Sequence, residues 1–270
     1  LVRYFGWLGL ESLQKMWSSK LAMSMYDSKI KKTIFTFLYL GLLTLLPLFS
    51  QSALADGSVI DKIYHPYVDA LENELEFRSI FQDKQAGLDN PKEIHRLALG
   101  RSIGESLFGE VYLIGNKSRS GSFDLEAYEF ELKWQLTEQG EYAADWGVLF
   151  EFEKEIDEDA QEVAVGLFAE KEFGRWSGTA NLFLIREWGE DIENEYETAL
   201  SLQARYRYSR SFEPAIELYT GQDTTGIGPA VIGNFALGTR KSLNWEAGLI
   251  LGIDNESPDQ TFRFLLEYEF

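Results

Sequence analysis

Two histidines and no cysteine limit the chemistry open to this 270-residue chain. Without Cys there is no disulfide framework, no thiolate zinc site and no amino-terminal Cys to carry lipid. A lipid-hydrolysing barrel with Ser and His on one strand face would show H-x-S, because period two places such residues side by side. His65 is followed by Pro66-Tyr67 and His95 by Arg96-Leu97, so neither fits and no catalysis is expected. His95 reads instead as a ring facing lipid near a rim. The run "DEDAQE" (157–162) lacks the fifth-position ligand and sixth-position Gly of a calcium-binding loop. It reads as a solvated acidic loop, able at most to bridge Ca²⁺ or Mg²⁺ weakly to anionic lipid. "GIG" (226–228) is a turn feature, too short to cradle phosphate. No cofactor and no metal site are expected.

What remains for function is charge. The chain carries 25 Lys and Arg against 44 Asp and Glu, a net of −19, which excludes nucleic acid as a partner because nothing here neutralises a row of phosphates. With 45% hydrophobic and 14% aromatic residues it can bury a substantial core.

The elements that must position these charges are strands. The chain ends "TFRFLLEYEF" (261–270), with Phe262, Phe264, Leu266, Tyr268 and Phe270 on one side and Arg263, Glu267 and Glu269 on the other. "YEFELKWQL" (128–136) sets Tyr128, Phe130, Leu132 and Trp134 against Glu129, Glu131 and Lys133. Strand-length segments of this kind fall at 71–81, 93–102, 106–116, 128–136, 145–153, 162–173, 176–188, 197–208, 213–220, 228–237, 243–253 and 261–270. Alternate connections differ: "DNESPDQ" and "WGEDIENE" belong to a longer, mostly acidic set, "GTRKS" and "YSRS" to a shorter one. An antiparallel up-and-down sheet gives this outcome, since alternate turns emerge at opposite ends.

The amino-terminal region reads as an address. Lys29, Lys31 and Lys32 precede an apolar run from Ile34 to Phe49, and Ala53-Leu54-Ala55 closes it, the order of a secretory signal cleaved after Ala55. Residues 1–24 are expected to be an untranslated or leader extension, 25–55 the signal peptide, 56–68 a short periplasmic segment and 69–270 the barrel.

Alternation alone does not say whether the apolar face lines a core or meets lipid. Charges crowd one face of nearly every strand, and Trp134, Trp176, Trp188, Tyr206, Tyr208, Tyr268 and Phe270 gather near strand ends. The segments are mostly ~9–11 residues, the span of a tilted transmembrane strand. The ending with aromatic and apolar residues at 262, 264, 266, 268 and 270 resembles the carboxy-terminal signature of Gram-negative outer-membrane β-barrels. That resemblance implies an all-β, transmembrane, antiparallel up-and-down barrel of about twelve strands in the bacterial outer membrane. It further implies assembly-signal residues at Phe262, Phe264, Leu266, Tyr268 and Phe270, recognised by the barrel-assembly machinery with periplasmic chaperones. Both mature termini would lie in the periplasm, with outer-membrane lipid and lipopolysaccharide as surroundings.

A charge on the lipid face costs up to ~2–4 kcal/mol for Arg or Lys near mid-bilayer, so the charged faces turn inward. Arg78, Glu129, Glu131, Glu151, Arg205 and Arg263 are the candidate permeation residues. Closure would bring Glu267 and Glu269 toward Glu72 and Glu74, and an inward Glu110 would carry Phe108 and Tyr112 inward with it. The expected function is a passive channel or transporter for small polar, mainly cationic, solutes. Alternatives are a non-conducting structural or surface-binding barrel and, third, a lipid-modifying enzyme.

Overall fold

The computed structural model describes residues 59–83, 92–117, 123–190, 194–222 and 224–270. The expected leader, signal peptide and cleavage residues Ala53 and Ala55 lie outside these. Twelve strands follow one another: β1 (Asn73–Gln82), β2 (Lys92–Ile103), β3 (Leu107–Lys117), β4 (Phe123–Gln135), β5 (Asp145–Glu155), β6 (Ala160–Phe173), β7 (Trp176–Gly189), β8 (Glu195–Tyr206), β9 (Glu213–Thr220), β10 (Thr225–Gly238), β11 (Lys241–Gly252) and β12 (Gln260–Glu269). Each pairs antiparallel with its sequence neighbour, and β1 pairs with β12 to close the barrel. Closure leaves no unpaired edge, which a strand structure in lipid requires.

Every strand expected from the sequence is present. The boundaries differ most at β4, which starts at Phe123, and β10, which starts at Thr225. In β4 the register shifts between Ile114 and Gly115 of β3, so Glu126 interrupts the alternation that marks the rest of the strand. At the start of β10 the buried, inward positions are Gly226 and Gly228, which carry no side chain to signal a face. Connection length sorts the two ends less cleanly than expected. The 156–159 turn is short because β5 and β6 run on to meet it, while the 136–144 connection at the other end is longer.

The outward face is apolar around the barrel: Leu75, Phe77, Leu97, Leu99, Val111, Phe130, Phe150, Val165, Leu184, Ile216, Leu249 and Phe262 are all exposed. Trp134, Trp176, Tyr208 and Phe270 stand exposed beyond it toward the end that holds the chain terminus, here the lower end. An exposed apolar belt of this extent has no stable partner in water, and lipid supplies one. Among the described residues no helix is long and apolar enough to cross a membrane; the strands do the crossing.

The inward face combines small apolar clusters with charge. Ile80, Ile94, Ala98, Tyr112, Ile114 and Ala127 pack together inside β1–β4. Phe108 and Tyr112 are buried as the inward register of Glu110 requires, and the seam pairs Glu74 with Glu269 and Glu76 with Glu267.

The largest departure from expectation concerns the segment before β1. Residues 59–68, expected to form a short periplasmic segment, run through the lumen. Val59 packs at Gly221 in the β9–β10 connection of the upper end, and Asn73 begins β1 at the lower end. Ile60 and Ile63 pack on Tyr219 and Ile250, and Tyr64 stacks on Phe168 at 5.2 Å between ring centroids. The wall is shaped for this passage: a side chain at Gly147 would meet the Pro66 Cα at 2.9 Å. "VIDKIYHPYV" (59–68) alternates poorly because its partners lie on several sides of it and exist only after the barrel has closed.

Candidate functional site

The charged lumen is organised around this threaded segment. Side chains at even positions of β1 point inward, so Glu76 and Arg78 sit together, 0% and 1% exposed. Arg78 donates to Glu76 Oε1 from Nη2 at 2.7 Å and also binds the Asp61 carboxylate from the segment. Lys62 donates to Glu76 Oε2 at 2.8 Å and to the Tyr112 hydroxyl at 2.8 Å, and lies 3.7 Å from Glu110. From β2, Arg96 donates to Glu129 Oε2 at 2.7 Å and stands 3.7 Å from Asp61. Charges taken this far from water are tolerated only when paired and hydrogen-bonded, as these are.

A second knot lies across the lumen. Arg263, 1% exposed, reaches Glu217 with Nη2 at 2.5 Å and Nε at 3.1 Å, and Glu246 with Nη1 at 2.8 Å. Glu217 also accepts from Gln203, at 2.9 Å. Tyr219 of the same strand has its hydroxyl 2.8 Å from the Asp61 carbonyl, tying this knot to the segment.

Backbone contacts hold the segment as firmly as charge does. Asn181, fully buried on β7, accepts from the Tyr64 N–H at 2.8 Å and donates to the Tyr64 carbonyl at 2.9 Å. Two bonds from one amide satisfy the main-chain N–H and C=O of a residue that has no strand partner. The Tyr64 hydroxyl donates to Glu131 at 2.6 Å, His65 Nδ1 meets Glu170 at 2.6 Å, and Tyr67 donates to Asp145 at 2.9 Å. Lower still, the Val68 N–H donates to Gln135 at 2.8 Å.

Beside the upper part of the segment, β2–β8 and the segment itself line a cavity of about 170 Å³. Its acids come from five strands: Glu126 of β4, Glu151, Glu153 and Glu155 of β5, Glu162 of β6, Glu187 of β7 and Glu197 of β8. Asp61 joins them, and only Lys62, Lys92 and Arg96 bring positive charge. The bulge in β4 is what adds Glu126, held by the Asn116 amide at 2.9 Å. Carboxylate oxygens of Glu129, Glu131 and Glu151 lie within 4.8 Å of one another at the cavity's lower edge.

The six candidate permeation residues all face the interior, but the structure divides them. Glu129, Glu131 and Glu151 meet beside the cavity. Arg78 and Arg263 are locked in separate ion-pair knots, and Arg205 lies lower, 3.5 Å from both Glu170 and Glu213. Asp61, Lys62, Tyr64, His65 and Asn181, which organise the lumen, were not among the expected site residues, since the alternation that finds wall strands says nothing about a chain inside them.

On the outside of the barrel, the second histidine also has partners that a one-strand motif search misses. Ser79 and His95 are direct neighbours across β1 and β2, with Ser79 Oγ 2.8 Å from His95 Nδ1. Glu93, two residues along β2, places Oε1 3.0 Å from His95 Nε2.

No family model matches the chain, and no curated protein matches it in sequence. Solved structures do match in fold. The chain is similar to the COG4313 outer membrane channel from Pseudomonas putida F1 at 15% identity and a TM-score of 0.55, covering 78% of this chain and 97% of that one. It is similar to the KdgM porin in complex with disordered oligogalacturonate at 12% identity and a TM-score of 0.50, over 73% and 99%. It is also similar to the beta domain of the Bordetella autotransporter BrkA at 14% identity and a TM-score of 0.50, over 75% and 99%. The fold is therefore that of outer-membrane β-barrels, as the carboxy-terminal pattern implied, and at these identities the likeness concerns fold alone.

Proposed function

We propose that the chain is an outer-membrane channel for small polar solutes that favours cations and is closed by residues 59–68. The acid-lined cavity carries this reading: eight carboxylates from six chain segments face a space with three bases. Carboxylates crowded in a narrow, low-dielectric path raise local cation concentration and repel anions. Beside and below the cavity the threaded segment occupies the lumen, so conduction requires it to shift. Similarity to the KdgM porin and the COG4313 outer membrane channel supports the channel class. The test is a planar bilayer with purified barrel: steps of current favouring K⁺ over Cl⁻ support the proposal. Silence across many insertions, in the presence of barrels shown to be folded, removes it.

The ion-pair knots and the segment's packing favour a second reading, a non-conducting barrel whose loops engage lipopolysaccharide or another surface. Deletion of residues 56–68 separates the two. A channel then conducts in larger steps, while a structural barrel loses only stability.

A further inference from the structure

We propose that Ser79, His95 and Glu93 form a nucleophile, base and orienting acid on the lipid-facing wall, able to transfer an acyl chain from a membrane ester to water. The proposal stands apart from the lumen reading, because these side chains point the other way. β1 turns Glu74, Glu76, Arg78 and Ile80 inward and exposes Leu75, Phe77 and Phe81 outward; Ser79 shares that outer face but is only 4% exposed, so a substrate reaches it only as its neighbours part.

The direction of the hydrogen bonds is set by chemistry. An ionised carboxylate only accepts, so the proton between Glu93 Oε1 and His95 Nε2 belongs to the ring. That leaves the Nδ1 lone pair to accept the Ser79 hydroxyl at 2.8 Å, the polarity a general base needs. Lys117 Nζ stands 3.3 Å from the other Glu93 oxygen and holds the acid from its far side. A Ser and His meeting only to satisfy each other in lipid would need neither Glu93 nor Lys117.

The surroundings suit an acyl substrate. His95 is stacked against Phe77 at 6.1 Å, met edge-on by Phe81 at 5.9 Å and flanked by Phe123 at 5.9 Å. These rings fix the imidazole and offer an apolar bed. Ser79 is three residues from the upper end of β1, roughly 10 Å along the strand, in the part of the wall nearest the upper rim.

In the reaction, Ser79 Oγ forms a bond to the ester carbonyl carbon and passes its proton to His95 Nδ1. The carbon–alkoxy bond breaks, and the leaving oxygen takes that proton as the alcohol departs. Water then attacks the acyl-serine carbon, giving a proton to His95; the carbon–Oγ bond breaks, Oγ takes that proton back from His95, and the fatty acid and free Ser79 are released. Backbone N–H groups of β1 are committed to ladders on both sides, with β2 and β12. The developing oxyanion thus lacks a dedicated cradle, which predicts turnover roughly 10²–10³-fold below that of a site with one.

Slow turnover makes covalent capture the sensitive test. The folded full chain, in detergent micelles, is treated with a fluorophosphonate probe and mapped by mass spectrometry. The expected label is on Ser79, absent in Ser79→Ala and in His95→Ala. Hydrolysis is followed with a medium-chain p-nitrophenyl ester, with a diacyl phospholipid and with lipopolysaccharide, to learn which ester source is used. Ser79→Ala is expected to lower the rate at least tenfold, and Glu93→Gln to lower kcat with KM unchanged, as a positioning residue should. Heat-modifiable gel mobility establishes that each variant is a closed barrel. A folded parent that takes no more label than Ser79→Ala, or hydrolyses all three esters at the variant's rate, overturns the proposal.

Discussion

The two halves of the lumen are built from the same residue types and treat them oppositely. Along β9–β12 and β1–β3 each buried base has carboxylate partners: Arg78 with Glu76 and Asp61, Arg263 with Glu217 and Glu246, and Lys62 with Glu76. Along the upper parts of β4–β8, glutamates collect around a cavity and positive charge arrives only from the opposite wall or the threaded segment. The difference teaches that net charge is a poor guide to role. Paired charge fixes the first half, whereas on the proposed channel reading the acid-rich lining of the second is what a cation would meet.

The contrast breaks most visibly at Arg263. Arg263→Ala leaves Glu217 and Glu246 facing each other without a cation, and removal of one member of a buried pair costs about 3–5 kcal/mol. Urea unfolding of the lipid-folded barrel should show that loss, whereas Glu162→Gln in the acid-lined half should cost under ~1 kcal/mol. Next in size is the threaded segment. Deleting residues 56–68 should raise single-channel conductance several-fold, because Tyr64 and its stacking partners leave the lumen. Unchanged conductance would place the path elsewhere. Smaller again, Glu162→Gln should lower the K⁺ over Cl⁻ preference about twofold while Arg205→Gln raises it, measured by reversal potentials in a salt gradient.

The wall was legible in the sequence because a barrel strand repeats one decision at every second residue. In "NELEFRSIF" the cost of a charge in lipid fixes Glu74, Glu76 and Arg78 inward, and Phe77 and Phe81 follow outward. The same logic placed Glu129, Glu131, Glu151 and Arg263 correctly without naming their partners. Pairing was not legible, because Arg263 meets Glu217 from a strand 46 residues away, across the lumen and not along it. The threaded segment was hidden for a further reason. Tyr64 and Ile63 bury against different walls, so no face of the segment is uniformly apolar or polar. The pairing of His95 with Ser79 was not legible along one strand, because Ser79 stands across the hairpin. Interactions that depend on closure or on neighbouring strands leave no periodic trace.

The smallest effect lies where pairing in the first half runs out. At the lower end Glu72, Glu267 and Glu269 bring carboxylate oxygens within 4.8 Å of one another. Neutral donors serve them in place of bases: Asn244 donates to both Glu267 and Glu269 at 2.5 Å. Glu72, in the turn before β1, is pushed up to about 7, first by burial and then by the charge of Glu269, with Lys133 opposing and Asp69 adding to the rise. Its ordinary value is 4.5, so the folded barrel holds this proton more tightly than the unfolded chain does. The sign follows. Above about pH 7 the ionised Glu72 works against the fold, and the penalty fades as pH falls from 7 toward 4.5. Glu72→Gln should therefore stabilise the barrel at pH 8, by less than ~1 kcal/mol given the group's partial exposure, and leave it unchanged at pH 4. Equal unfolding midpoints for parent and variant at both pH values would mean that Asn244 and Lys133 already neutralise the cluster. The lower end would then belong with the paired wall, in contrast to the acid-lined cavity.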